Sequence, residues 1–404
     1  MLLKIAWRNI WRSHTRSLVV IGAIVVGVWA VIFLMSFSDG MIKSYINNSI
    51  ESEISHIQIH HPDFPKDREA VYVMDQATAL QQSLQGMEHV QAATVRSLSS
   101  AMIASAKGAR GVQIKAVDPV GEAQVTRLDE KITEGEYFSA DKKNQIILSK
   151  RLAEKLNIKL RSKTVLTFTN LNGDITATAM RVVGLYENDN AMIEDLVVYT
   201  PLSDFNQILG KEDIAHEAAI FLKDPEYLDT VQAAMQKQYP RLLVETYKQI
   251  SPEIELFNSQ MQISTIMFTV IVMLALVFGI INTMLMAVLE RIRELGMLMA
   301  VGMNKVRVFF MIVLETVMLG LVGGPVGLGL AYLAVSYFNR NGIDLGNWSE
   351  AMRQFGMSRI VYTSINPGIF IILAVAVVIT ALVGSLYPAW KAVRLRPVDA
   401  IRRI

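Results

Sequence analysis

Between Ser17 and Phe37 the chain runs SLVVIGAIVVGVWAVIFLMSF, 21 residues without a charge. Three more stretches share this character. The run Leu256 to Leu289 has no charge, Val308 to Phe338 has only Glu315, and Val361 to Trp390 has none. At ~1.5 Å rise per residue, each is long enough as a helix to cross a hydrocarbon core of ~30 Å. Soluble helices do not repeat such a length four times. The pattern predicts spans at 17–37 (TM1), 262–289 (TM2), 308–338 (TM3) and 368–390 (TM4). It leaves an outer loop at 339–367.

Between TM1 and TM2 the pattern changes to that of a folded domain. SHIQIHH (55–61) alternates Ile57 and Ile59 with His56, Gln58 and His60, which predicts a half-buried strand. Helical patterns follow at Gln76–Gln85, Ser149–Leu156 and Pro225–Gln238. Asp224-Pro225 and Thr200-Pro201 read as a cap followed by proline in the first helical turn. Asn172-Gly173 separates two β-rich runs within 164–187 and predicts a hairpin with two positive-φ residues. A strand is expected at Leu196–Tyr199. The expected insert is 132–210, β-rich, within a discontinuous α/β subdomain made of 54–130 and 211–248. Residues 38–52 and 250–262 extend the neighbouring spans with few helix breakers and read as helical stalks. The fold class is therefore an α-helical membrane protein with four transmembrane helices and a large α+β extracytoplasmic domain.

The first 16 residues carry their own periodicity. Leu3, Trp7 and Trp11 recur at four-residue spacing, with Ala6 and Ile10 beside them and Lys4, Arg8 and Arg12 on the adjacent stripe. This predicts a helix in the membrane interface, indoles in the headgroup zone and bases toward anionic lipid. Ser36-Phe37-Ser38 has the small-x-small form of a cleavage site. The apolar run before it exceeds the 7–15 residues usual for a signal peptide, so TM1 is expected to remain as an anchor.

Charge orients the spans. Net charge over 404 residues is only +2, which names no partner. Its distribution is uneven: 38–258 holds 23 basic and 31 acidic residues, a net of −8, and the rest carries +10. Lys4, Arg8, Arg12 and Arg16 precede TM1. Arg291, Arg293, Lys305 and Arg307 lie between TM2 and TM3, and Lys391, Arg394, Arg396, Arg402 and Arg403 follow TM4. By the positive-inside bias these three segments, 1–16, 290–307 and 391–404, are expected to be cytoplasmic. The 38–258 domain is then expected outside. The chain has no cysteine, which excludes disulfides and thiolate metal sites.

Little in the outer domain suggests enzyme chemistry. His56, His60 and His61 with Asp63 imitate a metal cluster, but His56 and His60 on one strand would stand ~13 Å apart. They are expected on the strand surface, and no metal site is assigned. There is no nucleophile elbow, HExxH or paired-carboxylate spacing. The phosphate cradle G-x-x-x-x-G-K-[ST] is also missing, so any ATP used is expected to be bound by another polypeptide.

Within the membrane, Gly320, Gly323, Gly324 and Gly327 form overlapping GxxxG patterns that permit close helix approach. Pro325 removes a backbone donor and is expected to bend TM3. Glu315 is expected to make a structural contact close to the cytoplasmic end, and Asn282 is a lesser polar candidate. Between TM2 and TM3, LERIRELGMLMAVGMNKVRV (289–308) reads as a helix with Leu289, Ile292, Leu295 and Met299 on one face. Glu290 and Glu294 would form a like-charged pair at i, i+4, unfavourable in isolation and relieved by a basic groove on another protein. Gly302 would end the helix.

These residues resemble a known family. ERIRELGMLMAVGMNKVRVFFMIVLETVMLGLVGGPVGLGLA (290–331) is similar to the coupling segment and third span of FtsX-like permeases, the membrane subunits of mechanotransmission ABC systems. SLYPAWKAVRLRPVDAIRRI (385–404) resembles their closing motif, and WRNIWRSHTRSLVVIGAIVVGV their start. The layout of one span, an outer domain and three spans also fits. The SLYPAW ending and the size of the outer domain look most like lipoprotein-releasing LolC/LolE-type permeases. MacB-type exporters carry an ATPase ahead of the first span, which this sequence does not.

The resemblance implies porter-like and sabre-like subdomains, the second being the 132–210 insert. It implies two copies of an ABC ATPase holding ATP and Mg, with no cofactor in this chain. They would dock at Glu290, Arg291, Arg293, Glu294, Leu295, Gly296 and Gly302. It further implies a second permease, identical or paralogous, and residence in membrane lipid of the cell inner membrane with both termini cytoplasmic. A lipoprotein substrate and a periplasmic carrier would complete the system, and no nucleic acid is involved. By position, acyl chains would lie near Met35, Phe37, Met41, Met261 and Ile266. Polar residues 187–196 are a candidate carrier hook. Motion is expected to pass from the coupling helix into TM2 and its stalk. The alternatives are export of a peptide, antibiotic or toxin with a periplasmic adaptor, and regulation of a cell-wall hydrolase without transport.

Overall fold

The computed structural model describes residues 7–8, 10–12, 14–188, 190–354 and 356–394. Leu3, Lys4 and Ala6 of the expected interfacial helix, and Arg396, Arg402 and Arg403 of the tail, lie outside the described residues. The chain divides into two compact units. One comprises Met1–Ile42, Asn258–Asp344 and Ile360–Ile404, the other Lys43–Phe257 and Leu345–Arg359.

The first unit holds four helices long and apolar enough to cross a membrane. TM1 lies in the helix His14–Ser49, TM2 in Pro252–Glu290, TM3 in Lys305–Asn341 and TM4 in Pro367–Val393. TM3 begins at Asn304, whose side chain accepts from Val306 N at 3.1 Å, and TM4 at Asn366, which accepts from Gly368 N at 2.9 Å. Each cap satisfies a donor that the first helical turn leaves open.

TM1, TM3 and TM4 share one apolar core. Val20, Ile24 and Val28 meet Met311, Leu319 and Val335, with Leu373 and Val377 on the third side. The glycines of TM3 divide between two neighbours. A Cβ on Gly323 would lie 3.1 Å from the Ile24 side chain, and one on Gly327 3.0 Å from Val28, both on TM1. On Gly320 it would lie 3.1 Å from Ala381, and on Gly324 3.4 Å from Val377, both on TM4. TM3 thus runs close between two helices, as small-residue faces allow. The helix continues through Pro325 to Asn341. TM2 is the least covered, with 11% of its apolar window buried against 44% for TM3.

Before TM4 the chain crosses the ends of TM1 and TM3. Thr363 donates its hydroxyl to Val335 O at 2.8 Å, and Ser364 N donates to Ser36 O at 2.9 Å. Gly40 makes room for this strap, because a Cβ there would lie 2.0 Å from the Tyr362 carbonyl oxygen.

The second unit is built on strands β1 (Ile57–His60), β2 (Met74–Asp75), β3 (Val90–Ser105), β4 (Gly108–Val117), β5 (Ile132–Gly135) and β6 (Gln145–Ser149). They are followed by β7 (Lys163–Thr169), β8 (Ile175–Tyr186), β9 (Val197–Pro201), β10 (Ile214–Ala215), β11 (Glu217–Leu222) and β12 (Leu243–Thr246). Among the described residues, ten of these form one mixed sheet in the order β12-β1-β11-β3-β4-β9-β6-β8-β5, with β7 bonded to both β3 and β8. β2 and β10 pair separately. The strands from 132–210 all lie at one end. They join the rest through the parallel β4–β9 and antiparallel β3–β7 ladders. Helices Ala77–Gln85 and Leu228–Gln238 bury Leu80, Leu84, Val231 and Met235 against one half of the sheet. Helices Lys150–Leu156 and Leu202–Leu209 bury Leu152, Leu156, Phe205 and Leu209 against the other.

Three local expectations are corrected. β1 is not half-buried: all four residues are buried, because it lies between β11 and β12 with structure over both faces. His56 and His60 are therefore interior and not on a strand surface. His56 accepts from Leu222 N at 3.3 Å, and His60 contacts His216 O at 3.1 Å. Thr200 caps no helix. β9 runs through it to Pro201, and its hydroxyl donates to Gln145 O at 3.0 Å. In the β7–β8 hairpin only Gly173 of the Asn-Gly pair has positive φ, at +86°. The loop extends from Asn170 to Asp174, and Asn170 Oδ1 accepts from Asn172 N and Asp174 N at 3.0 and 2.9 Å, so an Asx turn replaces the two-residue turn.

A buried ionic cluster ties β3 and β11 to the helix Pro119–Thr126. Arg96 donates to both oxygens of Glu122 at 2.8 Å and to Glu217 Oε1 at 2.6 Å. Burial alone would lower the pKa of Arg96, and the two carboxylates more than reverse this. Burial would raise that of Glu217, but Arg96 outweighs it and holds the carboxyl below the usual range.

Candidate functional site

The segment between TM2 and TM3 is a separate short helix, Ile292–Ala300, nine residues long. TM2 ends at Glu290, and Arg291 breaks the helix with φ −100° and ψ 18°. At the other end Gly302 takes φ +102°. Met303 N donates to Leu298 O at 2.9 Å and Gly302 N to Met299 O at 3.2 Å, the paired bonds of a Schellman ending. This fulfils the reading of Gly302 as a helix stop.

The break at Arg291 changes the expected face. Ile292 and Leu295 are buried and Met299 is partly buried, but Leu289 belongs to TM2 and is exposed. Glu290 and Glu294 sit on different helices and not four apart on one helix as expected. Glu294 is instead ion-paired with Arg12, on the basic stripe before TM1. Arg291 turns inward and donates to Glu315 of TM3 at 3.1 Å, with only 15% and 12% of the two side chains exposed. Gly296 is buried, and Glu290, Arg293, Met297 and Val301 face outward. Of the seven proposed coupling residues, the structure thus turns two outward as side chains and uses Arg291, Glu294 and Leu295 to fasten the helix. Beneath it lies a cavity of about 500 Å3, walled by Met284, Val288, Leu298 and Met311.

The stripe before TM1 is helical where described. Ile10 is buried against the apolar core, whereas Trp7 and Trp11 are exposed and meet edge to face at 5.9 Å. Ser17 donates to Ile10 O at 2.6 Å across the junction.

Of the five positions suggested for substrate, the structure brings two together. Met35 and Ile266 line a cavity of about 220 Å3 with Asp39, Gln262, Thr265 and Ile369. Phe37, Met41 and Met261 are not in its wall, and the Phe37 ring stacks on Phe33 at 6.5 Å. Sequence reasoning missed Asp39 and Gln262, polar residues that flank the apolar runs and could have marked the cavity mouth. Residues 191–196 of the suggested hook form a short helix. Glu194 is buried and accepts from Asn188 N at 2.8 Å, and Asp195 pairs with Lys155 at 2.6 Å. That segment is fastened to the domain and is not a free polar loop.

Residues 17–238 match the family model of the MacB-like periplasmic core domain, and residues 266–397 that of the FtsX-like permease C-terminal domain. The chain belongs to the FtsX/MacB family of ABC transporter permeases. It is 23% identical over 431 residues to the macrolide export ATP-binding/permease protein MacB of Hahella chejuensis, covering 99% of this chain and 60% of that protein. It is 25% identical over 426 residues to the pyoverdine export ATP-binding/permease protein PvdT of Pseudomonas savastanoi pv. phaseolicola, covering 98% and 58%. The chain therefore spans about three fifths of the length of these two relatives. The crystal structure of the periplasmic region of MacB from Actinobacillus actinomycetemcomitans aligns with 52% of this chain and 97% of its own length, at 12% identity and a TM-score of 0.37. Residues 43–238 of the second unit fall within the matched MacB-like periplasmic core domain, which makes this unit the large extracytoplasmic domain. Both relatives are named for export, one of a macrolide and the other of pyoverdine.

Proposed function

We propose that this chain is the membrane permease of an ATP-driven export complex, working with two copies of an ABC ATPase and a second permease, identical or paralogous. ATP and Mg would be held by the ATPase, whether a separate polypeptide or a fused domain. The observation that carries this reading is the helix Ile292–Ala300. It is broken from TM2 and TM3 at both ends, yet fastened inward by two ion pairs, and it turns Glu290, Arg293, Met297 and Val301 outward. Such a face suits a partner on the cytoplasmic side of the inner membrane, where the positive-inside bias puts this loop and both termini.

The relatives named for macrolide and pyoverdine export favour an amphipathic small molecule or peptide as cargo, handed to a periplasmic adaptor. Release of a lipoprotein to a carrier is the second reading, supported by the apolar wall at Met35 and Ile266 beside a sparsely covered TM2. On either reading the strands of 132–210 would be the sabre-like part and the remainder the porter-like part.

The test has two arms. Arg293→Glu with Met297→Asp should abolish co-purification of the ATPase, and Glu294→Lys should weaken it less. Unchanged co-purification of the double variant would refute the docking face. Photoprobes at Met35 and Ile266 in the reconstituted complex should trap cargo during ATP turnover. An acylated protein would select lipoprotein release, and a small amphiphile would select export. A complex that hydrolyses ATP and traps neither would point to hydrolase regulation instead.

A further inference from the structure

At the β12-β1-β11-β3 end of the sheet, one face is apolar and the other is polar yet buried. Ile57, Ile59, Val95, Ala218 and Ile220 point into the apolar core. On the opposite face the registers place Glu245 beside Gln58, His60 beside Glu217 and Glu217 beside Arg96. Lys115 follows on β4, opposite Leu98. Gln58, His60, Lys115 and Glu217 are each 4–5% exposed. Burying such groups is costly unless something answers them. Within the protein His60 contacts Gln58 Oε1 at 3.0 Å, Gln58 donates to Ile54 O at 2.7 Å, and Glu217 accepts from Arg96 at 2.6 Å. Over this face lies a cavity of about 420 Å3, a size usual for small-molecule sites, whose wall also holds Ile54, Phe64 and Ile250.

The cavity wall takes in the chain just before β1 and just after β12. The first of these is a π-helical turn, Ile50–Ile54, leading into Ser55, which holds φ +59° and ψ 177°. The second is the capped turn Tyr247–Ile250 with Ser251. Ile54, Ile250 and Ser251 all stand in the cavity wall. A π-turn and a strained non-glycine backbone at one joint often mark a functional position.

The charges choose the ligand class. The wall carries Arg68 and Lys115 against Glu217, Glu245 and Glu253. Glu217 is already bound to Arg96, which it shares with Glu122, so the ensemble keeps one net negative charge. Gln113, Gln249 and Ser251 add neutral hydrogen-bonding groups. We propose that this cavity binds a small polar primary amine of amino-sugar size, whose ammonium sits among Glu217, Glu245 and Glu253. Occupancy then braces the joints at 50–58 and 247–256. The inference does not depend on the transported cargo or on an ATPase.

The experiment uses the full chain in lipid nanodiscs, with glucosamine as probe and N-acetylglucosamine as its neutral counterpart. Saturation-transfer NMR should show saturable binding of glucosamine, and the acetylated sugar should bind at least about tenfold more weakly. Glu245→Gln with Glu253→Gln, one partly exposed and one exposed wall residue, should weaken glucosamine about tenfold. Hydrogen exchange should slow at 50–58 and 247–256 when glucosamine is added. No saturable binding, equal binding of the two sugars, an unchanged double variant, or protection elsewhere in the chain would each overturn the proposal.

Discussion

The pair Arg291–Glu315 permits a quantitative test of how the helix Ile292–Ala300 is held. The groups meet at 3.1 Å, 15% and 12% exposed. At an effective dielectric near 20 their attraction is about 5 kcal/mol, offset in part by desolvation. Removing one partner strands the other charge, which costs about 3–5 kcal/mol. Removing both leaves no stranded charge and costs far less. The chain has no cysteine, so one introduced at Leu295, which is 5% exposed, becomes a clean reporter of helix opening. With Arg291→Met, thiol labelling in the native membrane should accelerate about a hundredfold or more, since each 1.4 kcal/mol is a factor of ten. Glu315→Met should do the same, and the double variant should recover most of the protection. Labelling at the parental rate with Arg291→Met would refute the latch. So would a double variant as open as either single, because the two effects would then not be coupled.

Other consequences are as direct. Arg96→Met leaves Glu122 and Glu217 buried together without their cation and should destabilise the extracytoplasmic domain by about 3–5 kcal/mol, read as lost amide protection in β3 and β11; undiminished protection would mean the cluster is not structural. Burial lowers His56 and His216 from 6.5 to about 4, so the unfolded chain takes up protons first as pH falls between those values. Stability should therefore decline from about pH 6.5 to about pH 4, by up to about 3 kcal/mol per histidine, and depression of Glu217 acts in the same direction at lower pH. Hydrogen exchange of β1 and β11, corrected for intrinsic rate, checks this, and a flat profile would contradict it. Gly40→Ala should disrupt the strap, because its Cβ would lie 2.0 Å from Tyr362 O, whereas Gly279→Ala meets nothing within 4 Å and should be neutral or slightly stabilising. Equal thermal midpoints for the two would refute the close approach.

What the sequence disclosed divides along physical lines. Features set by neighbours along the chain were readable. The spans follow from uncharged length, and Gly302 as a stop follows from a backbone that tolerates positive φ. Asp224 accepts from Glu226 N at 2.9 Å because a short carboxylate before proline caps a first turn. Features set by distant partners were not readable. Arg12 and Glu294 are 282 positions apart, and the sequence pattern assigned Arg12 to orienting the spans and to facing lipid. Arg96, Glu122 and Glu217 come from three separate elements. The alternation in SHIQIHH reports two chemically different faces. It cannot say that the polar face is also covered, since that depends on β12 and the turn after it.

The same division bears on how motion leaves the helix Ile292–Ala300. Nine residues are too few for a helix to persist in isolation, so this one exists through its tertiary contacts. Its apolar face covers the cavity that Met284 and Val288 share with Met311, and its ionic contacts run to Arg12 and, through Arg291, to Glu315. Toward TM2 it has the broken turn at Arg291, a point of bending, and the apolar lining at Met284 and Val288. On the proposed reading, a push on Arg293 and Met297 reaches TM3 and the helix before TM1 first, and TM2 only through the cavity lining. This differs from a direct line through TM2. It predicts that Glu315→Gln leaves ATPase co-purification intact while uncoupling hydrolysis from movement of TM3, measured as spin-label distances between TM3 and TM1. Distances that still change with ATP in Glu315→Gln would return TM2 to the leading role.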